Sequence, residues 1–158
     1  MRLNESVVVS APKQAVWDYV ADLDNFSHFM SGITRWEADG ERRSGLGARR
    51  RMLIRVGSAE VGGLIEIVEW HAPDDLAWSS VTGVDQRGRL RLRAAGAAST
   101  RVELRYQYGV AGAGLAGWIS EHVAARTISG HLRTSLQQLK RVIEHEKLRA
   151  EAATRARA

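Results

Sequence analysis

The chain contains no cysteine, which excludes disulfide bonds, thiolate metal sites and a cysteine nucleophile. It has two prolines and no apolar run of membrane-spanning length. Its five histidines include no His-x-x-x-His or His-Glu-x-x-His pair, so we predict no metal site. The first residues are polar and charged where a secretory signal would need an apolar run, which favours a cytoplasmic protein.

What is present is typical of one ordinary globular domain. The 158 residues are 44% hydrophobic and 26% charged, so the chain can bury a hydrophobic core but is too short to form two domains of typical size. We predict one domain over residues 1–148 and a charged, alanine-rich tail over 149–158. Arginine greatly outnumbers lysine, and a net charge of +5 permits nucleic acid or an anionic membrane as a partner without indicating either.

The first third of the chain predicts a short strand followed by two short helices. Residues 3–10 have strand character, and the helix after them has Ser10 or Ala11 at its cap and Pro12 in its first turn. Asp24 is the predicted cap of the second helix. The residues expected to be buried on these helices are Ala15, Val16, Tyr19, Val20, Phe26, Phe29 and Met30.

From residue 33 to 110 the apolar period changes to two, and glycine- or aspartate-rich turns divide the stretch into six antiparallel strands. Residues 115–148 then predict one long helix. One narrow band of that helix contains Trp118, Glu121, Ala125, Ile128, Leu132, Leu136, Leu139 and Ile143. An acidic residue, Glu121, therefore interrupts an apolar stripe.

The glycine-rich stretch before the helix, GAGLAG at residues 112–117, matches the G-x-G-x-x-G fingerprint of dinucleotide-binding loops. A dinucleotide fold also needs a second parallel strand after the helix, ending in an acidic residue that holds the ribose. Here the helix runs to the end of the chain and the preceding strands are antiparallel, so we predict no nucleotide cofactor. The glycines instead allow a sharp turn and frame the mouth of a pocket.

The predicted order is strand, two short helices, six strands and one long helix. A curved antiparallel sheet must cover its apolar face, and the long helix is the available cover. Such a pairing tends to leave an interior cavity, which is the natural place for a ligand.

Three stretches resemble the START-like superfamily, which includes Bet v 1 relatives and the polyketide cyclase/dehydrase and lipid transport proteins. They are VVVSAPKQAVWDYVADLDNFSHFM, IVEWHAPDDLAWSSVTG and STRVELRYQY. The resemblance implies an α+β helix-grip fold of about seven strands around a long C-terminal helix, with a hydrophobic pocket between them. Aromatase members of the group carry an inward arginine before the turn, where this chain has Glu66 and Glu69, so a standard aromatase is not predicted.

Glu121 is the first candidate catalytic residue. Burial against the sheet would raise the pKa of its carboxyl group and make it a usable acid or base. In the alternative, its flexible stem reaches solvent or its charge favours the positive end of the helix dipole.

Glu69 and Arg50 are the other two candidates for catalysis. Two phases are open for the strand of residues 61–71, and the resemblance favours the one that turns Ile65, Ile67 and Glu69 inward. Otherwise Glu69 pairs with a neighbouring arginine. Arg50 shares a face with apolar residues and could stabilise an enolate or a ligand carboxylate, or else it reaches water at a strand end.

The predicted ligand-binding surface is apolar and aromatic, suited to a flat or polyene molecule. Its residues are Trp118, Trp78, Tyr106, Tyr108, Ile54, Ile67, Ala125 and Ile128. On the opposite face of the sheet, alternating arginines make a basic surface for phosphates or anionic lipid headgroups. These are Arg87, Arg89, Arg91, Arg93, Arg101 and Arg105, with Arg49, Arg51 and Arg55 beside them.

Three functional hypotheses follow from these features. The first is a non-catalytic carrier or sensor that holds a lipid, isoprenoid or aromatic polyketide in an internal cavity. The second is a cyclase/dehydratase-type enzyme that uses a buried carboxylate. The third is a module that contacts an anionic membrane or nucleic acid through the basic face, although Glu103 interrupts that face and no aromatic side chains interleave for base stacking, so no specific nucleic acid is predicted.

Overall fold

A computed structural model describes residues 1–109 and 121–158, with side chains in the second range from residue 124 onward. The strands are β1 (Arg2–Val9), β2 (Ile33–Asp39), β3 (Arg49–Val56), β4 (Ala59–His71), β5 (Asp75–Ser80), β6 (Gln86–Gly96) and β7 (Ser99–Tyr108). The helices are α1 (Lys13–Ala21), α2 (Phe26–Phe29) and α3 (Glu121–Arg157), with a 3-10 turn at Leu23–Asn25.

The seven strands form one antiparallel sheet in the order β1-β7-β6-β5-β4-β3-β2. Strands β2 to β7 follow one another as a meander, and β1 pairs with β7 along its whole length. The segment with α1 and α2 carries the chain from one edge of the sheet to the other. The predicted α+β helix-grip fold is confirmed.

Period-two alternation gives the sheet an inner face, which packs on α3, and an outer face. In β7, Val102, Leu104, Tyr106 and Tyr108 are buried on the inner face. In β6, the predicted arginines alternate with Gly88, Leu90 and Leu92, which are buried. The apolar inner face is what requires a helix to cover it.

Polar contacts along both of its flanks fix the position of α3. On the β1 side, the Ser129 hydroxyl donates to Glu5 (2.9 Å), and the Lys140 ammonium donates to the Val8 carbonyl (2.9 Å). On the other side, the Ser31 amide donates to the Ser135 hydroxyl (2.8 Å), and His131 Nε2 donates to the carbonyl oxygen of Arg55 (3.0 Å). The helix is therefore held at both sheet edges while its apolar stripe covers the middle.

Two details of the short helices differ from the sequence prediction. Trp17, and not Ala15, completes the buried stripe of α1, where it packs against Trp70 of β4; the helix begins at Lys13 with Pro12 at its cap position. Asp22, and not Asp24, caps the 3-10 turn by accepting from the Asp24 amide. Beyond residue 148 the chain continues as the exposed end of α3, and the domain boundary at that point stays a prediction.

Asp75 should contribute to the pH dependence of stability. Its carboxylate accepts hydrogen bonds from Arg91 (3.1 Å) and Arg93 (3.2 Å) on the outer face. Burial raises the pKa of Asp75, but the two arginines outweigh it and the net pKa is lowered. Because the pKa of Asp75 is lower in the folded state than in the unfolded state, its ionised form stabilises the folded protein. This contribution is fully present above the unfolded pKa of about 4 and is lost as the pH falls through the folded-state pKa. Thermal unfolding between pH 5 and pH 2 should therefore show a shallower loss of Tm in Asp75→Asn than in the wild type.

Asp18 provides the control for that experiment. Its carboxylate accepts from the Gln14 amide and has no cationic partner in the described part of the chain, so Asp18→Asn should keep the wild-type slope. Equal slopes in Asp75→Asn and the wild type would contradict the assignment.

Candidate functional site

The inner face carries a row of side chains that runs across five strands. The register aligns Ile67, Trp78, Gly88, Tyr106 and Leu3 from β4 to β1. Trp78 is 2% exposed and Tyr106 is 5% exposed. The predicted ligand-binding residues Trp78 and Tyr106 therefore lie two strands apart, with a glycine between them.

The glycine determines how Trp78 lies. A Cβ placed on Gly88 would be 2.0 Å from Cζ2 and 2.1 Å from Cε2 of Trp78. The indole ring therefore lies directly over the Gly88 backbone and extends from β5 across β6 toward β7. Any larger residue at position 88 would fill the space that the ring occupies.

Two buried nitrogen donors of this inner face have no hydrogen-bond partner within residues 1–109 and 124–158. They are Nε1 of Trp78 and Nε of Arg50. An unpaired buried donor costs about 1–3 kcal/mol, because it gives up water without replacing it. An acceptor oxygen brought in by a ligand would recover part of that cost.

Tyr106 and Gln86 form a polar pair at the same end of the sheet. The Tyr106 hydroxyl donates to Gln86 Oε1 at 2.6 Å, and both residues are buried. Burial raises the pKa of Tyr106, so the hydroxyl stays protonated at neutral pH. Tyr108 stands beside it, with the two ring centroids 6.1 Å apart, and extends the aromatic wall.

An aromatic cluster closes the side of the site next to α2. Phe26 stacks on Trp36 with 5.2 Å between ring centroids and meets Trp78 edge-on at 6.0 Å. Phe29 packs on Phe26 from the same helix. Helix α2 is only four residues long, and its two phenylalanines, both predicted to be buried, seat it on the sheet.

Arg50 lies on the inner face, as predicted, and is 2% exposed. Its Nη1 donates to Asp24 Oδ1 (2.7 Å), and its Nη2 donates to the Arg43 carbonyl (2.7 Å). Hydrogen bonds from Arg50 and then Arg43 lower the pKa of Asp24. The guanidinium, which also lies 5.6 Å from the Trp36 ring centroid, is thus engaged mainly in holding the loops before β3.

The predicted inward orientation of Glu69 is wrong. Ile67 and Ile65 face inward, but the register of β4 against β5 shifts between Ile67 and Glu69, so that Val68 bulges. A bulge of one residue reverses the alternation beyond it. Glu69 therefore lies on the outer face, where it accepts from Arg89 at 2.6 Å, and Trp70 turns inward against Trp17.

The remaining predicted site residues divide into two groups. Ile54, Ile67, Tyr108 and Ile128 are buried, and Ala125 is half-buried at the start of the helix stripe. Trp118 lies outside the described residues, and Glu121 is described only as the first residue of α3. Within the described part of the chain, no three histidine or acidic residues gather in a way that could hold a metal ion.

Sequence reasoning did not assign Gln86, Gly88 or Asp24 to the site, although it placed Gly88 on the buried face of its strand and Asp24 at a helix cap. A signal existed for the first two, because Gln86 and Gly88 continue the buried phase of Leu90 and Leu92 at a period of two. No local pattern indicated that Asp24 pairs with Arg50, since the two residues are 26 positions apart in the sequence.

None of the described helices combines the length and apolar composition needed to cross a membrane.

Comparison with known proteins identifies similar sequences and folds. The family model for polyketide cyclase/dehydrase and lipid transport matches residues 1–144. No curated protein matches at the sequence level. A crystal structure from Thermus thermophilus has a TM-score of 0.78 at 17% identity and covers 92% of this chain and 99% of its own.

Two further solved structures share the fold. The Zhui aromatase/cyclase from Streptomyces has a TM-score of 0.78 at 17% identity, with 91% of this chain and 93% of that chain covered. A START superfamily protein from Mycobacterium smegmatis has a TM-score of 0.68 at 14% identity, with 91% and 97% covered. At these identities the likeness concerns the fold alone.

Proposed function

The chain belongs to the polyketide cyclase/dehydrase and lipid transport family, and on that premise we propose that it binds a hydrophobic small molecule on its inner face as a cytoplasmic carrier or sensor. The ligand class is a lipid, an isoprenoid or an aromatic polyketide. The binding surface includes Trp78, Tyr106, Tyr108 and Ile67 on the sheet and Ile128 on α3.

The observation that carries the proposal is the buried Trp78 indole, whose N–H has no partner in the described part of the chain. The indole spans β6 over Gly88 and lies next to the Tyr106 and Gln86 pair. In the proposed complex, a ring system stacks on the indole while a carbonyl or hydroxyl oxygen on the ring accepts a hydrogen bond from the N–H. Among these ligand classes, the unpaired N–H favours a ring compound with at least one acceptor oxygen.

Displacement of the neutral fluorophore N-phenyl-1-naphthylamine by small ring compounds tests this proposal. We expect 1-tetralone, which has a keto oxygen, to displace the probe at about one-tenth the concentration needed for tetralin, which has none, because one recovered hydrogen bond contributes about 1–1.5 kcal/mol. In Trp78→Phe, which keeps the ring but lacks the N–H, the two compounds should become nearly equal.

Trp70→Phe is the matched control, since Trp70 also faces inward but packs on Trp17 near the start of β5. This variant should keep the preference for the ketone. If neither compound displaces the probe from the wild type, or if Trp70→Phe loses the preference as completely as Trp78→Phe, the proposed site is wrong.

The enzymatic alternative has less support from the described residues. Glu69 lies on the outer face in an ion pair with Arg89, and two nitrogens of Arg50 are held by Asp24 and the Arg43 carbonyl. Glu121 stays a prediction as a general acid or base. If an aromatic polyketide were found to be turned over, loss of turnover in Glu121→Gln with retained binding would favour the enzymatic role.

A further inference from the structure

The outer face of the sheet contains a groove of about 660 Å³, whose lining also includes Leu3, Trp78, Gly88 and Tyr106 of the row described above. It lies over β1, β7, β6 and β5, with Val68 and Glu69 of β4 at its border. Two cross-strand rows build it. One row aligns Arg2, Gln107, Arg87 and Ser79, and the next aligns Asn4, Arg105, Arg89, Ala77 and Glu69.

The groove exists because small residues lie beside long ones. Ala77 and Ser79 on β5 have short side chains, whereas the arginines that line the groove from β6, β7 and β1 have long ones. Ala77 is 5% exposed although it lies on the outer face, as expected of a short side chain at the bottom of a recess between longer ones. The result is a recess with an apolar floor and guanidinium walls.

The charges of this groove do not cancel. Arg89 is paired with Glu69 at 2.6 Å, and Arg105 is paired with Glu103. Arg2 and Arg87 are exposed and have neither a carboxylate nor a hydrogen-bond partner in the described part of the chain. They lie in one row with Gln107 between them, so their Cα atoms are about 10 Å apart, close enough for two side chains to converge on one anion.

Most other arginines of the outer face are paired with carboxylates, in contrast to the uniformly basic surface expected from the sequence. Ion pairs bind Arg49, Arg51 and Arg55 to Glu66, Asp39 and Glu60. Asp75 pairs with Arg91 and Arg93. Arg2 and Arg87 thus lie together beside a recess, whereas Arg101, which also has no ion-pair partner in the described residues, lies outside it; this pairing favours a small ligand in the recess over an extended membrane surface or nucleic acid backbone.

We propose that this groove binds a soluble organic phosphate monoester. Two unpaired guanidinium groups match the two negative charges of the phosphate, and each offers a planar pair of N–H donors. The side-chain amides of Asn4 and Gln107, which also line the groove, supply further donors. The volume exceeds that of a phosphate group, so the organic part can lie over Ala77.

Titration of the isotope-labelled protein with phenyl phosphate, followed by NMR, tests this site. The side-chain amide signals of Asn4 and Gln107 should shift in a saturable manner, and inorganic phosphate should bind more weakly at the same signals. In the double variant Arg2→Gln/Arg87→Gln we expect the Kd to rise about tenfold or more, since two charge-assisted contacts are lost.

Arg101→Gln is the control, because Arg101 is an exposed outer-face arginine of β7 without an ion-pair partner in the described residues and does not line the groove. It should leave the Kd nearly unchanged. An equal loss in Arg101→Gln, or no saturable binding of phenyl phosphate, would overturn the proposal. Binding to phosphatidic acid vesicles without binding to phenyl phosphate would also overturn it and assign the face to a membrane. Displacement of the neutral probe from the inner face reports separately on the proposed function.

Discussion

Replacing Gly88 with alanine should lower the free energy of unfolding by about 2–3 kcal/mol, which is the upper part of the range for adding atoms to a packed core. The new Cβ would lie 2.0 Å, 2.1 Å and 2.5 Å from three atoms of the Trp78 indole. The ring cannot move aside cheaply, because it is 2% exposed and Phe26 packs on it. The substitution therefore forces either the tryptophan or strand β6 to shift.

Chemical denaturation monitored by circular dichroism measures this effect, and Gly130→Ala is its control. Gly130 lies within α3, and a Cβ there would meet nothing within 4 Å. Because glycine is a poor helix former, Gly130→Ala should raise stability by about 0.5–1 kcal/mol. A Gly88→Ala protein as stable as the wild type would show that Trp78 does not lie over the β6 backbone.

Removing Asp24 from its ion pair with Arg50 should lower the free energy of unfolding more than removing Arg50 does. Asp24→Ala leaves a guanidinium that is 2% exposed without its carboxylate, and the loss of a partner to a buried charged donor costs about 1–3 kcal/mol. Arg50→Met fills the same space with an apolar chain, and Asp24, whose side chain is 50% exposed, keeps water and Arg43 as partners. We expect Arg50→Met to cost less than half as much as Asp24→Ala.

The double variant Asp24→Ala/Arg50→Met completes the thermodynamic cycle, again by chemical denaturation. Its stability should be close to that of Arg50→Met alone, because without the buried charge the carboxylate has little left to compensate. An Arg50→Met variant that is less stable than Asp24→Ala would mean that packing and the hydrogen bond to Arg43, and not charge compensation, determine the contribution of Arg50.

Much of the fold could be read from local patterns. The arginines that alternate with leucines in β6 predict one solvent-exposed face and one buried face of the sheet, because the side chains of a strand point alternately to opposite sides. The phenylalanines of α2 and the stripe from Ile128 to Ile143 likewise lie in the core, as their spacing requires. These features depend only on neighbours within a few residues.

The composition of the candidate site depends on where strand β4 bulges, which the sequence indicates only weakly. The apolar residues Ile65, Ile67 and Trp70 are spaced two and then three apart, which is compatible with a bulge but also with an ordinary strand that exposes one tryptophan. Pairing with β5 decides between these arrangements. That pairing sends Glu69 to Arg89 and away from the inner face.

The sequence by itself determined the order of elements and the faces of the regular strands, and it placed Arg50 on a face with apolar residues without deciding whether it is buried. Only the tertiary structure decided that Asp24 compensates Arg50, that Trp78 lies over Gly88, and that Arg2 and Arg87 stay unpaired beside one groove. The physical reason is distance along the chain. Periodicity reports which face a residue occupies, whereas its partner is set by strand register and by the shift that a single bulge introduces.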